Sequence, residues 1–275
     1  MNRNHPIGIF DSGYGGLTIL KAIRKLLPEY DYIYLGDNAR TPYGTRSFDV
    51  VYKYTLEAVK KLFEMDCHLV ILACNTASAK ALRTIQQVDL PQIYPNRRVL
   101  GVIRPSVEEV ARFTRNKHVG ILGTKGTISS QSYVIELEKL YQGNLVVTQE
   151  ACPMWVPIVE NNEMGSPGAD YFIKKNLMNL LKTDPQIDTI VLGCTHYPLL
   201  TDSIKKYLPA NIALLQQGPI VAEKLADYLH RHPEMEQKCS KGGGVDYYTT
   251  ENAENFDSMA SLFMDETVSA TTIHY

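Results

Sequence analysis

Nowhere in the 275-residue sequence does an apolar run approach the roughly 18–20 residues that span a bilayer. The opening stretch Met1-Asn2-Arg3-Asn4-His5-Pro6 passes directly into Ile7-Gly8-Ile9-Phe10, without the apolar segment and small-residue cleavage site of a secretory leader. The cytoplasm is therefore the expected location, and no membrane partner is expected. An excess of either charge is also missing: 28 Lys and Arg face 30 Asp and Glu, a formal net charge of -2. That balance gives no general attraction to nucleic acid, so none is expected as a partner. The five cysteines (Cys67, Cys74, Cys152, Cys194 and Cys239) are too few and too scattered for a disulfide framework in a chain of this length. In a reducing compartment they are expected as free thiols, special only through reactivity or metal binding. Cys67-His68, Cys74 and Cys194-Thr195-His196 offer sulfur and nitrogen ligands, but there is no Cys-x-x-Cys pair, no His-Glu-x-x-His helix and no compact ligand spacing. Zinc therefore ranks below thiol acid/base chemistry, and no metal is expected at the site.

What the chain does contain is ordinary globular composition, 44% hydrophobic and 21% charged, with short β-branched runs alternating with longer amphipathic segments. Strands are predicted at Ile7–Phe10, Tyr32–Leu35, Leu69–Ala73, Val99–Ile103, His118–Leu122, Leu145–Thr148, Thr189–Leu192, Ile212–Leu215, Val245–Tyr248 and Thr271–His274. Several are continuous apolar runs, the pattern of strands covered on both faces. Between them, apolar stripes at helical spacing include Leu17, Leu20, Ile23 and Leu27, then Val51, Tyr54, Ala58, Leu62 and Met65, and later Val221, Leu225 and Tyr228. Alternating β and α segments predict a parallel α/β architecture. In such sheets ligands sit beyond the carboxyl ends of the strands, on the turns that open the helices.

Two pairs of segments point to an internal duplication. Ile7-Gly8-Ile9-Phe10-Asp11-Ser12-Gly13 resembles Val119-Gly120-Ile121-Leu122-Gly123-Thr124-Lys125, and Val70-Ile71-Leu72-Ala73-Cys74-Asn75-Thr76 resembles Ile190-Val191-Leu192-Gly193-Cys194-Thr195-His196. The offsets, 112 and 120 residues, are nearly equal. Two similar α/β domains are expected, one formed by residues 102–209 and the other by 1–101 together with a returning segment, 210–275. The polar stretch His232–Gly244, ending in three glycines, is expected as a surface loop with Cys239 as an incidental exposed thiol.

Chemistry is expected on the turns. Cys74 and Cys194 each follow an apolar run and precede a helix start, where the positive end of the helix dipole favours thiolate. Each alone could equally be a buried small hydrophobe. Asn75 and Thr76 can cap the helix or hold an anion, and His196, two residues beyond Cys194, can exchange a proton with it. Asp11-Ser12-Gly13-Tyr14-Gly15-Gly16 puts a carboxylate into a glycine turn. That suits an ammonium or a catalytic proton better than a phosphate, although an N-cap is an even alternative. Thr41-Pro42-Tyr43-Gly44-Thr45-Arg46-Ser47 reads as a turn able to receive a carboxylate, or, without further context, simply as a turn with a capping serine.

Taken together these motifs closely resemble the glutamate racemases of the aspartate/glutamate racemase superfamily. The match adds Gly36-Asp37-Asn38-Ala39-Arg40, Gly123-Thr124-Lys125-Gly126-Thr127-Ile128, Ala151-Cys152-Pro153 with Pro157-Ile158-Val159-Glu160, and Leu192-Gly193-Cys194-Thr195-His196-Tyr197-Pro198, so that it spans nearly the whole chain. The resemblance implies two pseudo-symmetric three-layer α/β domains with mostly parallel sheets and the active site in the cleft between them. It implies a cofactor-independent enzyme that interconverts L- and D-glutamate, supplies D-glutamate for peptidoglycan and forms a homodimer. It assigns Cys74 and Cys194 as the acid/base pair, Asp11 as assistant to Cys74, and Glu160 and His196 as assistants to Cys194. By the same match Asp11, Ser12, Tyr43, Gly44, Asn75, Thr76, Thr124, Thr195 and His196 line the substrate site. Two positions depart from the pattern. Tyr14 stands where a small or β-branched residue is usual, and Ser106 where glycine is common. A racemase for another amino acid, or a cleft that binds without catalysis, are the competing readings.

Overall fold

The computed structural model describes residues 5–275; the stretch Met1–Asn4, read above for a leader, lies outside them. Among the described residues ten strands form two sheets. Strands β1 (Ile7–Asp11), β2 (Tyr32–Gly36), β3 (Leu69–Leu72), β4 (Arg98–Gly101), β9 (Val245–Thr249) and β10 (Ala270–Thr272) make a six-stranded sheet in the order β10-β9-β2-β1-β3-β4. Strands β5 (His118–Gly123), β6 (Val146–Ala151), β7 (Thr189–Gly193) and β8 (Ala213–Leu215) make a four-stranded sheet in the order β6-β5-β7-β8. Every ladder is parallel. The apolar runs explain this: β1, β2, β3 and β7 are buried along their full length, as strands with helices on both faces must be. These are two parallel-sheet α/β domains.

The duplication seen in the sequence is visible in the topology. The run β2-β1-β3-β4 in one sheet matches β6-β5-β7-β8 in the other. In each, the chain leaves the central strand, adds a neighbour on one side and then crosses to the other side. The switch points fall between β1 and β3 and between β5 and β7, where a crevice opens beyond the strand ends. Asp11 ends β1, Thr124 follows β5, and Cys74 and Cys194 follow the β3 and β7 runs.

Three expectations need correction. A boundary at Pro209 runs ahead of the second sheet, because Ala213–Leu215 pairs with β7 (Thr189↔Ala213, Val191↔Leu215) rather than returning to the first. The chain crosses back afterwards, through helix Gln217–Arg231, whose Gly218 lies against Ala22 and Thr18 of helix Leu17–Leu26. The stretch His232–Gly244 is no plain loop. It contains helix Pro233–Glu236, a bridge between Lys241 and Tyr30, and a Cys239 that is buried with its thiol donating to the Met235 carbonyl. Met235 and Cys239 join the core around Tyr30 and Tyr32, which is why this polar stretch folds inward. The strand predicted at Val99–Ile103 stops at Gly101, since helix Ile103–Phe113 takes over.

Candidate active site

A cavity of about 300 Å³ lies between the two sheets. All twelve residues proposed from the sequence line it: Asp11, Ser12, Tyr43, Gly44, Cys74, Asn75, Thr76, Thr124, Glu160, Cys194, Thr195 and His196. The halves meet closely. A methyl group on Gly15 would stand 2.3 Å from Thr195 Oγ1 and 2.4 Å from His196 Nδ1, so only glycine allows the first turn to approach the second cysteine motif. Gly44 abuts the Thr124 side chain in the same way, with 3.0 Å left for a Cβ. Thr18 Oγ1 donates to the Thr195 carbonyl at 2.9 Å, and Thr76 Oγ1 lies 3.0 Å from Thr124 Oγ1.

The first thiol is held from below. Cys74 precedes helix Asn75–Lys80, and its sulfur accepts from the Ala77 N–H at 3.5 Å. Ser12 Oγ stands 3.4 Å from Cys74 Sγ. Burial, reinforced by the Asp11 charge, pushes the Cys74 thiol up to about 12, against the hydrogen bonds from Ser12 and Ala77. The helix start does favour thiolate through the Ala77 N–H, as expected, but burial outweighs that hydrogen bond and the group rests as a thiol. Asp11 Oδ2 accepts from the Gly13 N–H at 2.9 Å, while Asp11 Oδ1 is buried without a partner. Burial raises the Asp11 carboxyl too, partly offset by the His196 charge. An unpartnered buried carboxylate oxygen at the cavity wall is an acceptor for a cation or a proton.

The second thiol has a different support. Cys194 Sγ lies 3.9 Å from His196 Nδ1, and His196 Nε2 lies 3.0 Å from Glu160 Oε1. Burial alone would lower His196, but hydrogen bonds to Cys194 and Glu160, with their charges, prevail and push it up to about 10. The helix expected near Pro198 begins as a single 3₁₀ turn, Tyr197–Leu200, before helix Thr201–Tyr207. The local cation beside Cys194 is thus an imidazolium rather than a long helix. Trp155 and Tyr197 brace this turn from behind, with ring centroids 4.8 Å apart and both rings fully buried. Trp155 Nε1 donates to Asn176 Oδ1, and Tyr197 donates to the Cys152 carbonyl.

Two predicted lining residues have their polar atoms engaged elsewhere. Asn75 Nδ2 donates to Gln217 Oε1 at 2.6 Å, and its Oδ1 accepts from the Tyr133 hydroxyl at 2.7 Å. Tyr43 donates to Asp37, which Arg40 also binds, and burial with the Asp37 charge keeps its phenol far above the usual range. The wall also includes Thr41, from the turn expected to receive a carboxylate, and three residues the sequence did not point to as ligands: Lys125, Cys152 and Val156. Lys125 is exposed and lies at the start of helix Lys125–Ser129, beside Thr124. Its place directly after a predicted site threonine was the available signal.

Two duplicated halves, each bringing a cysteine to the wall of one shared cavity, are the arrangement of an amino-acid racemase. The Asp/Glu/Hydantoin racemase family model matches residues 17–225, and the chain belongs to that family. The glutamate racemase of Ruegeria sp. (strain TM1040) is 40% identical over 268 residues, covering 94% of this chain and 96% of the relative. Among solved structures, glutamate racemase isoform RacE1 of Bacillus anthracis superposes with a TM-score of 0.89 at 31% identity, covering 99% of this chain and 98% of that one. The glutamate racemase of Francisella tularensis, solved in complex with D-glutamate, gives 0.86 at 30% identity, covering 100% of this chain and 98% of that one.

Proposed function

We propose that this racemase interconverts L- and D-glutamate by passing the α-proton between Cys74 and Cys194, without a cofactor. The observation that carries the reading is the placement of both thiols on one cavity, each with its own proton-handling partner. One sulfur removes the α-proton while the other delivers a proton to the opposite face, and the reverse reaction exchanges their roles. The free Oδ1 of Asp11 suits the substrate ammonium or the Cys74 proton. The hydroxyls of Thr76 and Thr124, 3.0 Å apart on the cavity wall, suit a carboxylate. Glu160 and His196 hold a proton ready for Cys194. Glutamate is the choice because the similar proteins are glutamate racemases.

In this reading the halves are domains that close on the substrate and exclude water during the charged step. The first is built from the chain before Val102 with β9 and β10, the second from Val102 to β8. D-Glutamate would feed peptidoglycan synthesis in the cytoplasm, and the active unit would be a homodimer. Among the described residues no helix is long and apolar enough to cross a membrane.

The test is racemisation in deuterated water. Deuterium should enter the α-position of both enantiomers, and Cys74→Ala and Cys194→Ala should each lose at least about 10³-fold in kcat. Full activity in either variant sinks the two-thiol mechanism, and faster turnover of aspartate sinks the substrate assignment. Growth rescue of a bacterium starved of D-glutamate would test the cell-wall role, and light scattering the dimer.

A further inference from the structure

Cys67-His68, considered above as a source of metal ligands, is divided by the fold. Cys67 is fully buried, its sulfur lying against Gly8, whereas the His68 ring meets His5 and Asp66. The imidazoles of His5 and His68 stand edge to face, with centroids 4.5 Å apart and planes at 88°. Asp66 lies with them: Oδ2 is 2.8 Å from His5 Nδ1, and Oδ1 is 3.8 Å from His68 Nε2. One ligand atom from each of the three lies within 4.8 Å of the others. His5 Nδ1 is shielded from water and, despite the nearby carboxylate, is not aligned for a hydrogen bond to any group among the described residues. A ring nitrogen held against a carboxylate oxygen with no hydrogen bond between them leaves both atoms able to bind one cation.

We propose that His5, Asp66 and His68 bind a divalent transition metal ion, Zn²⁺ foremost, through two imidazole nitrogens and one carboxylate oxygen. Two nitrogens and one oxygen suit zinc and disfavour Mg²⁺ and Ca²⁺, which take oxygen ligands. The side chains keep 42%, 47% and 20% of their exposure (His5, Asp66, His68), leaving room for water to complete a tetrahedron. Arg97, 3.9 Å from Asp66 Oδ1, opposes the ion and holds affinity below that of a closed structural site. The guanidinium is anchored away, on the carbonyls of Phe63 and Cys67.

This site is independent of the racemase reading. His68 precedes β3 and Cys74 follows it, so the two lie at opposite ends of one strand, roughly 15–20 Å apart at the usual rise. A bound ion would tie the chain just before β1 to the turn after helix Phe48–Glu64.

The test uses chelator-stripped full-length protein carrying Cys74→Ala and Cys194→Ala, which removes the cleft thiols as competing ligands. Calorimetric titration with ZnCl₂ should give one ion per chain. Adding His68→Ala, or the isosteric Asp66→Asn, should weaken binding at least about tenfold. With both cysteines restored, Zn²⁺ should raise the Tm of the parent but not of His68→Ala, and that variant should racemise normally in zinc-free buffer, which shows it is folded. The proposal is overturned if no zinc binds, if binding is unchanged by His68→Ala and Asp66→Asn, or if binding disappears with the two cleft thiols.

Discussion

Similar sequence motifs place Cys74 and Cys194 at similar strand ends, yet their neighbours differ in kind. Cys74 has a hydroxyl and a carboxylate, Ser12 and Asp11; Cys194 has an imidazole backed by Glu160. The difference sets a pH dependence. His196 is raised from 6.5 to about 10, so its folded-state pairing stabilises fully below about pH 6.5 and is lost as pH rises towards 10. Cys74, raised from 9.0 to about 12, adds a second loss between those values. Thermal melts across the alkaline range should show both, and Glu160→Gln should move the first to lower pH, together with the alkaline limb of kcat. An unchanged limb in Glu160→Gln would remove the carboxylate from the relay. Gly15→Ala tests the closeness of the halves. Its methyl has no room beside Thr195 and His196, and should cost about 1–3 kcal/mol in denaturant melts. Turnover should fall further than stability does. The cysteines, Asp11 and His196 were legible because chemistry-bearing residues stood on helix-opening turns. The imidazolium's dominance at Cys194 and the suppression of thiolate at Cys74 were not, because burial is a property of the assembled fold.

Among the elements, helix Gln217–Arg231 does most to join the halves. Its first residue, Gln217, is buried, accepts from Asn75, and its Nε2 donates to Ser106 Oγ at 2.8 Å and to the Tyr133 hydroxyl at 2.9 Å, with the Val102 carbonyl also within reach at 3.1 Å. One amide therefore connects the turn after β3 with helices Ile103–Phe113 and Ser132–Tyr141. Gln217→Ala strands several buried polar groups at once and should cost about 2–4 kcal/mol in chemical denaturation, with a raised KM from a loosened Asn75. Ser106, the departure from the usual glycine, supplies one of these acceptors. Ser106→Gly should cost less, about 0.5–1.5 kcal/mol, with KM nearly unchanged. If Gln217→Ala leaves both stability and KM unaltered, the hub does not set the cleft. Element positions were largely readable, since continuous apolar runs became the strands and apolar stripes the helices. The failures share a cause. The short strand β8 and the segment around Cys239 are placed by tertiary pairing, with β7 and with Tyr30 and Tyr32, and not by local pattern.

For the whole molecule, the five thiols divide by location. Cys74 and Cys194 open on the cleft and Cys152 lies in its wall without exposed surface, while Cys67 and Cys239 are buried away from it. Alkylation of the native protein by a reagent small enough to enter the cleft should fall first on Cys74 and Cys194 and be suppressed by D-glutamate, with Cys67 and Cys152, which expose no surface, reacting only on unfolding. Peptide mapping that finds Cys67 or Cys239 labelled first would contradict that division. The unlike partners of the two thiols also have a thermodynamic consequence. Enantiomers have the same free energy in water, so the equilibrium constant is unity and kcat/KM must be identical for the two directions, however different the walls of the cleft. Asymmetry can therefore appear only in how that shared ratio divides. The direction in which Cys194 and its imidazolium donate should show a different kcat, matched by a proportionate KM, and a different primary isotope effect from the direction in which Cys74 donates. Equal kcat, KM and isotope effects from α-deuterated L- and D-glutamate would mean that a duplicated fold had also made its two faces kinetically equivalent.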